Sequence, residues 1–273
     1  MIEYLAYQLI DGYKSGDGNV TAFLDHYDFY LVPFHNPDGK FSHSSFNLIH
    51  QPKQHPNQLS LKTGFVYTQT NDRLWRKNRQ PRPSVNTTCI GTDGNRNWIF
   101  EWDAEPPEGG STPDPCGQTY RGLAPGDTPE NQAIDGLSAK LATQGAGIRS
   151  FIDFHSYSQL ILTPWGFSCD PLPETIDRML EAAAGTAAAI EAASERGSEY
   201  LSGPGCEILY FSTGNSRDHH HAVRGANHSW TLELSPADTE GGVGFVLPPE
   251  EIWPVVREQW AGQVWLLNDV WDD

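Results

Sequence analysis

Basic side chains are scarce in this sequence. Its 273 residues include 18 Lys and Arg against 35 Asp and Glu, which gives a formal net charge of −17. Because phosphate groups are bound by clustered positive charge, this balance argues against nucleic acids and anionic membranes as partners. Runs of 18 consecutive apolar residues are also absent, so the sequence predicts no membrane-spanning helix.

The first ten residues lack the basic stretch and the small-residue cleavage site of a secretory signal peptide. Their apolar positions, Ile2, Leu5, Ala6, Leu9 and Ile10, instead repeat with the spacing of an amphipathic helix. Because the chain opens directly inside such a helix, we expect it to be truncated at its N-terminus.

Cysteine is rare, and the sequence contains neither a Cys-x-x-Cys pair nor the Cys/His spacing of a zinc finger, so a structural zinc site is not expected. The four cysteines are Cys89, Cys116, Cys169 and Cys206. Four reduced thiols in the core are one interpretation. Three Asn-x-Ser/Thr sequons, at Asn19, Asn86 and Asn227, favour the other, a secreted glycoprotein with two disulfides.

Helix and strand patterns alternate along the chain. Thr128-Pro129 is typical of a helix start, and the Ala-, Glu- and Leu-rich stretch 173–196 predicts a long helix that ends at Gly197. Apolar runs predict strands at 29–34, 149–155, 160–162 and 229–234, and 249–271 predicts a closing helix. This alternation predicts a single α/β domain over residues 1–273, with a mixed twisted sheet sandwiched by helices.

Five short motifs follow one another along the chain: Leu74-Trp75-Arg76-Lys77, Asp93-Gly94-Asn95-Arg96-Asn97-Trp98, His155-Ser156-Tyr157-Ser158-Gln159, Tyr210, and Thr231-Leu232-Glu233-Leu234. Together they resemble the carboxypeptidase A-type zinc metallopeptidases, a likeness that covers nearly all of residues 1–39 and 65–273. The resemblance implies an enzyme that uses one Zn²⁺ ion to release single residues from the C-termini of peptides.

The resemblance also implies roles for individual side chains. His155 matches the third zinc ligand of the family, in keeping with the preference of zinc for imidazole nitrogen. Glu233 matches the general base, Arg76 the group that stabilises the developing oxyanion, and Tyr157 belongs to the substrate-binding set. The alternatives are a satisfied polar group at a strand end for His155 and an outward-facing carboxylate for Glu233.

Four further positions match the substrate-binding residues of the family. Asn95 and Arg96 match the pair that holds the terminal carboxylate, a task suited to a planar guanidinium. Tyr210 matches the mobile tyrosine that closes over the substrate, with a core aromatic as the alternative. Arg217 matches the floor of the pocket for the terminal side chain and implies a preference for C-terminal Glu or Asp. The alternative is that Arg217 simply pairs with Asp218 or another acid.

The first metal-binding element of the family, His-x-x-Glu, is missing from all 273 residues. The only other histidine cluster, His219-His220-His221, cannot turn three successive side chains toward one metal, and we expect it to be solvated or to act from outside the ligand set. Two of the three zinc ligands are therefore missing, and we predict no hydrolysis by the chain as written. An inactive peptidase-like protein that binds peptide C-termini is the alternative.

Several further expectations come from the resemblance. It implies disulfides between Cys89 and Cys116 and between Cys169 and Cys206. It also implies a secreted monomer that acts on peptide or protein C-termini, whose signal, pro-segment and first quarter of the catalytic domain lie upstream.

The stretch from Lys40 to Gly64 shows no sustained periodicity of apolar residues and contains three of the ten histidines. Unstructured loops this long are uncommon inside compact domains. Codons that could encode Gly39-Lys40-Phe41 contain the sequence of an intron donor site, and codons that could encode Lys62-Thr63-Gly64 contain that of an acceptor site. We therefore hypothesise that the segment is a retained intron translated in frame. A genuine insertion loop is the alternative. Removal of the segment restores the spacing of the family and places Phe65-Val66-Tyr67-Thr68 in a strand.

Overall fold

A computed structural model describes residues 1–36, 64–82, 84, 88–238 and 244–273. The hypothesis of a retained intron and the sequon at Asn86 therefore concern residues outside the described part, apart from Gly64. Within these ranges, none of the helices is long and apolar enough to cross a membrane.

Four strands form one mixed sheet in the order β1-β4-β2-β3. Their bounds are β1 Ser150–Ser156, β2 Leu160–Thr163, β3 Leu201–Pro204 and β4 His228–Leu234. The pairs β1–β4 and β2–β3 are parallel, whereas β2 and β4 are antiparallel. The predicted mixed sheet is thus confirmed, and the three strands predicted at 149–155, 160–162 and 229–234 are present.

Eight α-helices surround the sheet or precede it in the described part of the chain. Their bounds are α1 Ile2–Ser15, α2 Gly18–His26, α3 Gly64–Thr70, α4 Pro129–Leu141, α5 Ile176–Ala193, α6 Gly205–Ile208, α7 Ser216–Ala222 and α8 Ile252–Asp269. The start of α4 is the predicted one: the Thr128 hydroxyl accepts a hydrogen bond from the Asn131 N–H, and Pro129 takes the first helical position.

The main apolar core lies between one face of the sheet and helices α5 and α8. Ile161, Trp230 and Leu232 of the sheet are fully buried there, against Ile190 of α5 and Leu266 of α8. The helices approach closely at Gly185, where an added Cβ would lie 1.9 Å from the Trp265 ring. Because side chains alternate along a strand, the residues between the core positions of β4 point to the opposite face, where α7 packs.

Two predicted strands are not strands. Residues 29–34 form no regular element in the structure, and Tyr30, Val32 and Phe34 are 53%, 40% and 41% exposed. Strand structure requires a partner for the backbone, and this stretch has none among the described residues. Residues 65–68 lie in helix α3, where the hydroxyl of Thr68 donates to the Phe65 carbonyl one turn earlier. The β-branched composition of this stretch did not decide its conformation, because β propensity depends on tertiary context.

The closing helix predicted at 249–271 begins as the 3₁₀ turn Pro249–Glu251 and continues as α8 from Ile252, which is 56% exposed. The histidine cluster was expected either to be solvated or to act from outside the ligand set, and solvation is wrong for His219 and His220, whose side chains are fully buried in α7. They are accommodated by hydrogen bonds to Asp135 and Ser138 respectively.

Candidate active site

The carboxyl ends of β1 and β4 bring two predicted site residues together. His155 and Glu233 are direct neighbours in the register of these parallel strands. Both side chains are only partly buried, and they face the side of the sheet on which α7 packs. Burial raises the pKa of Glu233 above its ordinary value, although the positive charges of His155 and Arg76 act against this rise. A raised pKa is one of the changes found in carboxyl groups that transfer protons in catalysis.

The His155 ring is held by a carboxylate on its own strand. Its Nε2 lies 2.9 Å from Asp153 Oδ2, and the same oxygen accepts a hydrogen bond of 2.5 Å from the Ser216 hydroxyl. Burial alone would lower the pKa of His155, but the charge of Asp153 and its hydrogen bond raise it. Asp153 precedes His155 by two residues, so strand alternation could have predicted that the two share a face.

Asn95 lies on the other side of the same imidazole. Its side-chain oxygen accepts the Ser216 N–H at 2.7 Å, which turns its amide nitrogen toward His155 Nε2 at 3.1 Å. One ring nitrogen cannot both donate to Asp153 and accept from Asn95. The contact with the carboxylate is shorter and charge-assisted, so we infer that Nε2 carries a proton and donates it in a hydrogen bond to Asp153. The other ring nitrogen, Nδ1, is then available to another partner.

Arg76 is bound to the turn that carries Asn95 and Arg96. Its Nε donates to Asp93 Oδ2 at 2.8 Å, and the side chains of Arg76 and Asp93 are 33% and 4% exposed. Burial alone would raise the pKa of Asp93, but the charges of Arg76 and Arg96 lower it. Asp93 also accepts the Asn95 N–H at 3.0 Å, so one carboxylate fixes the turn and the arginine together.

Arg96 and Tyr210 lie next to each other, as the substrate-binding hypothesis requires. The Arg96 guanidinium is buried and donates at 2.6 Å to the carbonyl of Asn95. Its Nη2 lies 3.5 Å from the Tyr210 hydroxyl, and Tyr210 is half-exposed. An exposed tyrosine is not a core aromatic, so the alternative interpretation of Tyr210 is wrong.

The buried guanidinium of Arg217 packs closely against two glycines, Gly166 and Gly205. An added Cβ would lie 2.3 Å from Arg217 Nη2 at Gly166 and 2.1 Å from it at Gly205. The guanidinium is 4% exposed, yet its hydrogen bonds are long: 3.3 Å to Ser212 Oγ and 3.5 Å to Thr231 Oγ1. Its Nε has no hydrogen-bond partner among the described residues.

The ion pair of Arg217 with Asp218 is loose. Nε and Oδ1 are 3.6 Å apart, beyond hydrogen-bonding distance. The Asp218 carboxylate instead accepts hydrogen bonds of 2.8 Å from the Gly166 N–H and from Asn215 Nδ2. Burial lowers the pKa of Arg217 and raises that of Asp218, the changes expected for a buried pair with weak mutual contact.

The ring of Tyr157 packs edge-on against that of Phe245 at a centroid distance of 4.9 Å. A cavity of about 420 Å³ opens nearby and is lined by residues that include Arg76, Asp93, Asn95, His155 and Phe245. Three of the predicted site residues, Arg76, Asn95 and His155, thus line one cavity. Tyr157 contacts Phe245, which also lines it.

Both cysteine pairs implied by the resemblance are bonded in the structure, Cys89 to Cys116 and Cys169 to Cys206. The second disulfide lies next to the glycines that contact Arg217, since Cys206 directly follows Gly205. The Cys206 N–H donates to the Trp165 carbonyl at 3.0 Å, so the segments that carry Gly166 and Gly205 are joined both by this bond and by the disulfide.

The described residues do not form a complete zinc site. Catalytic zinc is held by three protein ligands. In the described part of the chain, no group of three or more His, Cys, Asp and Glu side chains is placed to hold a metal ion. His155, oriented by Asp153 as ligating histidines are by carboxylates, provides one candidate ligand.

Sequence reasoning missed the residues that orient the predicted set. Asp93 and Asp153 bind Arg76 and His155, Ser216 binds Asp153, and Gly166 and Gly205 make room for Arg217. Asp93 had a signal in its own motif, because it directly precedes Gly94-Asn95-Arg96. Nothing local distinguished Gly166 and Gly205 from the other glycines of the sequence.

The comparison with known proteins agrees with this geometry. Residues 1–262 match the zinc carboxypeptidase family, Peptidase_M14. The chain therefore belongs to the zinc carboxypeptidase family, and the resemblance inferred from the sequence is confirmed.

Similar curated proteins come from fungi and from mouse. The chain is 39% identical over 261 residues to the metallocarboxypeptidase A-like protein of Trichophyton verrucosum, covering 96% of this chain and 52% of the relative. It is 37% identical to metallocarboxypeptidase A of Trichophyton rubrum and 31% identical to carboxypeptidase A4 of Mus musculus. In each of these two cases the alignment covers 98% of this chain and 54% of the relative. The chain thus spans about half the length of the curated relatives it matches.

Solved structures show the same fold. Thrombin-activatable fibrinolysis inhibitor (TAFI) aligns with a TM-score of 0.81 at 27% identity, over 100% of this chain and 58% of that one. Bovine TAFI in complex with tick carboxypeptidase inhibitor aligns with a TM-score of 0.69 at 31% identity, over 76% of this chain and 66% of that one.

Proposed function

We propose that this protein is a metallocarboxypeptidase that releases single residues from peptide C-termini and prefers Glu or Asp at the last position. We further propose that the 273-residue chain, whose described residues provide His155 but not a full group of zinc ligands, binds such termini without cleaving them. The observation that carries the proposal is the buried guanidinium of Arg217, which lies between two glycines with donors that are not fully used.

Recognition of the terminal carboxylate is assigned to Arg96, with Asn95 and Tyr210 beside it. A guanidinium binds a carboxylate through two parallel hydrogen bonds, a geometry that an internal peptide bond cannot match. The proximity of Arg96 and the half-exposed Tyr210 supports this role, because the tyrosine can lie over a ligand held by the arginine.

Recognition of the terminal side chain is assigned to Arg217. A buried cation whose hydrogen bonds are long or missing is stabilised by any acceptor that fits beside it. The carboxylate of a C-terminal Glu or Asp supplies both charge and acceptor oxygens, whereas Gln supplies only one acceptor and Lys adds a like charge. A terminal side chain that reaches Arg217 is therefore favoured when it is acidic.

The assigned catalytic groups are Glu233 as general base and Arg76 as the donor to the developing oxyanion. When bound in such a site, zinc would activate a water molecule and polarise the carbonyl group of the substrate. Because the described residues provide His155 and not a full ligand group, we expect the 273-residue chain to bind zinc weakly and to leave peptides intact.

The second candidate function is that of an inactive peptidase-like protein that binds peptide C-termini. The same incomplete ligand group favours it. Both functions include the binding of a peptide C-terminus. They differ in whether a form of the protein with a full zinc site hydrolyses the bound peptide.

The binding step is tested by calorimetry with pentapeptides that differ only in a C-terminal Glu, Gln or Lys, and with the amidated Glu peptide. We expect Glu to bind at least tenfold more tightly than Gln, and amidation to abolish binding. Arg217→Met should remove the Glu preference, whereas Arg257→Met, at an exposed position of α8, should keep it. Equal affinity for Glu and Gln in the native chain contradicts the assigned specificity.

Hydrolysis is tested on the same peptides with added Zn²⁺ by mass spectrometry of the products. We expect no release of the terminal residue. Zinc-dependent release by the purified chain would show that our expectation of inactivity is wrong and would support the enzymatic proposal.

We also propose that the protein is secreted and monomeric. Two disulfides and the exposed sequon residues Asn19 and Asn227 support an oxidising, glycosylating route. Expression in a secreting fungal host should give a glycoprotein whose mass falls on endoglycosidase treatment and whose light scattering corresponds to one chain. An unmodified intracellular product would contradict this route.

A further inference from the structure

Two opposite charges in α7 are buried side by side without direct contact. Arg217 and Asp218 are consecutive residues that are 4% and 1% exposed, yet Arg217 Nε lies 3.6 Å from Asp218 Oδ1. This Nε has no hydrogen-bond partner among the described residues. A buried charge is costly unless it is paired and hydrogen-bonded, so direct contact would be expected of such neighbours. Other groups must therefore hold the carboxylate away from the guanidinium.

The Asp218 carboxylate is bound by donors other than Arg217. Its Oδ2 accepts hydrogen bonds of 2.8 Å from Asn215 Nδ2 and of 2.8 Å from the Gly166 N–H. The backbone of Phe167 also donates to the carboxylate. Burial raises the pKa of Asp218, whereas the charge of Arg217 and these hydrogen bonds act against the rise. Of these donors Asn215 alone uses its side chain, so it is the one that a substitution can remove.

Asn215 performs two separable tasks at the start of α7. As the N-cap residue, it accepts the Asp218 N–H through Oδ1 at 2.9 Å, the usual capping hydrogen bond. Its Nδ2 donates both to the Ser212 carbonyl at 3.0 Å and to the Asp218 carboxylate. Serine and aspartate are equally good N-caps, but neither adds an amide donor to the capping oxygen. The hydrogen bond to the Asp218 carboxylate therefore goes beyond what the helix start requires.

The side chains of Asn215 and Arg217 approach the same glycine. An added Cβ at Gly166 would lie 2.3 Å from Arg217 Nη2 and 2.8 Å from Asn215 Nδ2. The N–H of this glycine is one of the donors to Asp218. Asn215 is itself 1% exposed, so bulk water does not compete for its amide. The amide, the carboxylate and the guanidinium are thus held around one point of the backbone.

We propose that Asn215 is a positioning residue for specificity: its amide holds Asp218 off Arg217 and keeps the guanidinium available to an acidic side chain of a bound peptide. The inference rests on the proposed function and adds a residue to it. Without the amide, a shift of about 0.7 Å brings Asp218 within hydrogen-bonding distance of Arg217 Nε. The pair would then satisfy itself, and a ligand carboxylate would have to displace Asp218.

The first test is calorimetry with the Glu- and Gln-terminated pentapeptides. Asn215→Ser keeps a capping oxygen and removes the amide donor. We expect the preference for Glu to fall from at least tenfold to less than threefold, with less than a twofold change in affinity for the Gln peptide. Asn268→Ser makes the same substitution at an exposed position of α8 and should keep the native preference. Full retention of the preference in Asn215→Ser would overturn the inference.

A second substitution shows whether Asn215 acts through Asp218. Asp218→Asn removes the competing charge, so the double variant Asn215→Ser/Asp218→Asn should recover a preference of at least tenfold. The circular dichroism of both variants should match that of the native chain. If the double variant does not recover the preference, Asn215 acts through the shape of α7 instead, and the inference is wrong.

The contact between Arg217 and Asp218 is also measured without any peptide. NMR of the isotope-labelled protein follows the exchange of the Arg217 Nε proton with water, and the signal is assigned by its absence in Arg217→Met. A proton that gains a carboxylate partner exchanges more slowly. We therefore expect Asn215→Ser to slow the exchange at least fivefold and the double variant to restore the native rate. An unchanged rate in Asn215→Ser would contradict the holding role of Asn215.

These measurements separate the inference from the proposed function. A native chain that binds the Glu and Gln peptides equally contradicts the assigned specificity. The role of Asn215 is then decided by the exchange of the Arg217 Nε proton alone: slowing in Asn215→Ser supports it, and an unchanged rate overturns it. A native preference for Glu that Asn215→Ser leaves intact refutes the role of Asn215 and leaves that of Arg217 standing.

Discussion

The Nε of Arg76 donates to Asp93 Oδ2 across 2.8 Å and so joins two sequence motifs that are 17 residues apart. The pair fixes the assigned oxyanion donor against the turn that presents Asn95 and Arg96. An arginine held in advance needs no rearrangement when charge develops, which is the physical basis of electrostatic catalysis.

Asp93→Asn should lower the free energy of unfolding by about 2 kcal/mol, because Arg76 loses a partner that is almost fully buried. The loss is smaller than for a fully buried pair, since a third of the Arg76 side chain is exposed. Urea unfolding measures it. Glu250→Gln, at an exposed position of the last 3₁₀ turn, should change stability by less than about 0.5 kcal/mol. Equal stability of the two variants would contradict the importance of the pair.

Gly205→Ala should reduce affinity for Glu-terminated peptides about tenfold and leave binding of the terminal carboxylate intact. The new methyl group would lie 2.1 Å from Arg217 Nη2 and must therefore displace the guanidinium. Calorimetry with Glu- and Gln-terminated peptides measures the change.

The matched control is Gly136→Ala, in the open part of α4, where an added Cβ meets no atom within 4 Å. It should leave peptide affinity unchanged and raise stability by about 0.5–1 kcal/mol through helix propensity. Retention of the full Glu preference in Gly205→Ala would show that the close packing of Gly205 against Arg217 does not set it.

The disulfide Cys169–Cys206 should affect both stability and specificity. Replacing both cysteines with Ala should lower the free energy of unfolding by about 3 kcal/mol and weaken the preference for Glu over Gln, since the bond joins the segments that carry Gly166 and Gly205. Replacing Cys89 and Cys116 should lower stability similarly and keep the preference. Thermal unfolding and calorimetry on both double variants separate the two effects. An unaltered Glu preference without Cys169–Cys206 would speak against this role.

Stability should fall as the pH drops below 6.5, and His220 should contribute to this fall. Burial lowers the pKa of His220 from 6.5 to about 3. Between pH 6.5 and about 3, His220 is protonated in the unfolded chain and neutral in the folded chain. Its contribution to the free energy of unfolding is therefore complete above pH 6.5 and is lost as the pH falls. The slope from this residue approaches about 1.4 kcal/mol per pH unit.

His220→Gln should therefore show a flatter pH dependence of its free energy of unfolding between pH 4 and 6 than the native chain. His221→Gln, at a partly exposed neighbour in the same helix, serves as the control. Parallel pH profiles for all three proteins would show that His220 is not the group responsible.

Local patterns predicted much of the fold. The apolar runs that became β1, β2 and β4, the Thr128-Pro129 start of α4 and the spacing in α1 all depend on neighbours a few residues away. The same reasoning failed at 29–34 and 65–68. An apolar or β-branched stretch becomes a strand only when another strand pairs with it, and pairing depends on distant residues.

The sequence by itself determined the family, because the motifs that identify it are short and contiguous, and the same motifs predicted a set of site residues. Only the tertiary structure decided how those residues are held. His155 meets Asp153 and Ser216, and Arg217 lies between Gly166 and Gly205, through contacts that join strands, helices and loops far apart in the chain. Hydrogen bonds and steric fit act over a few ångströms of space, and the separation of residues in the sequence does not fix that distance.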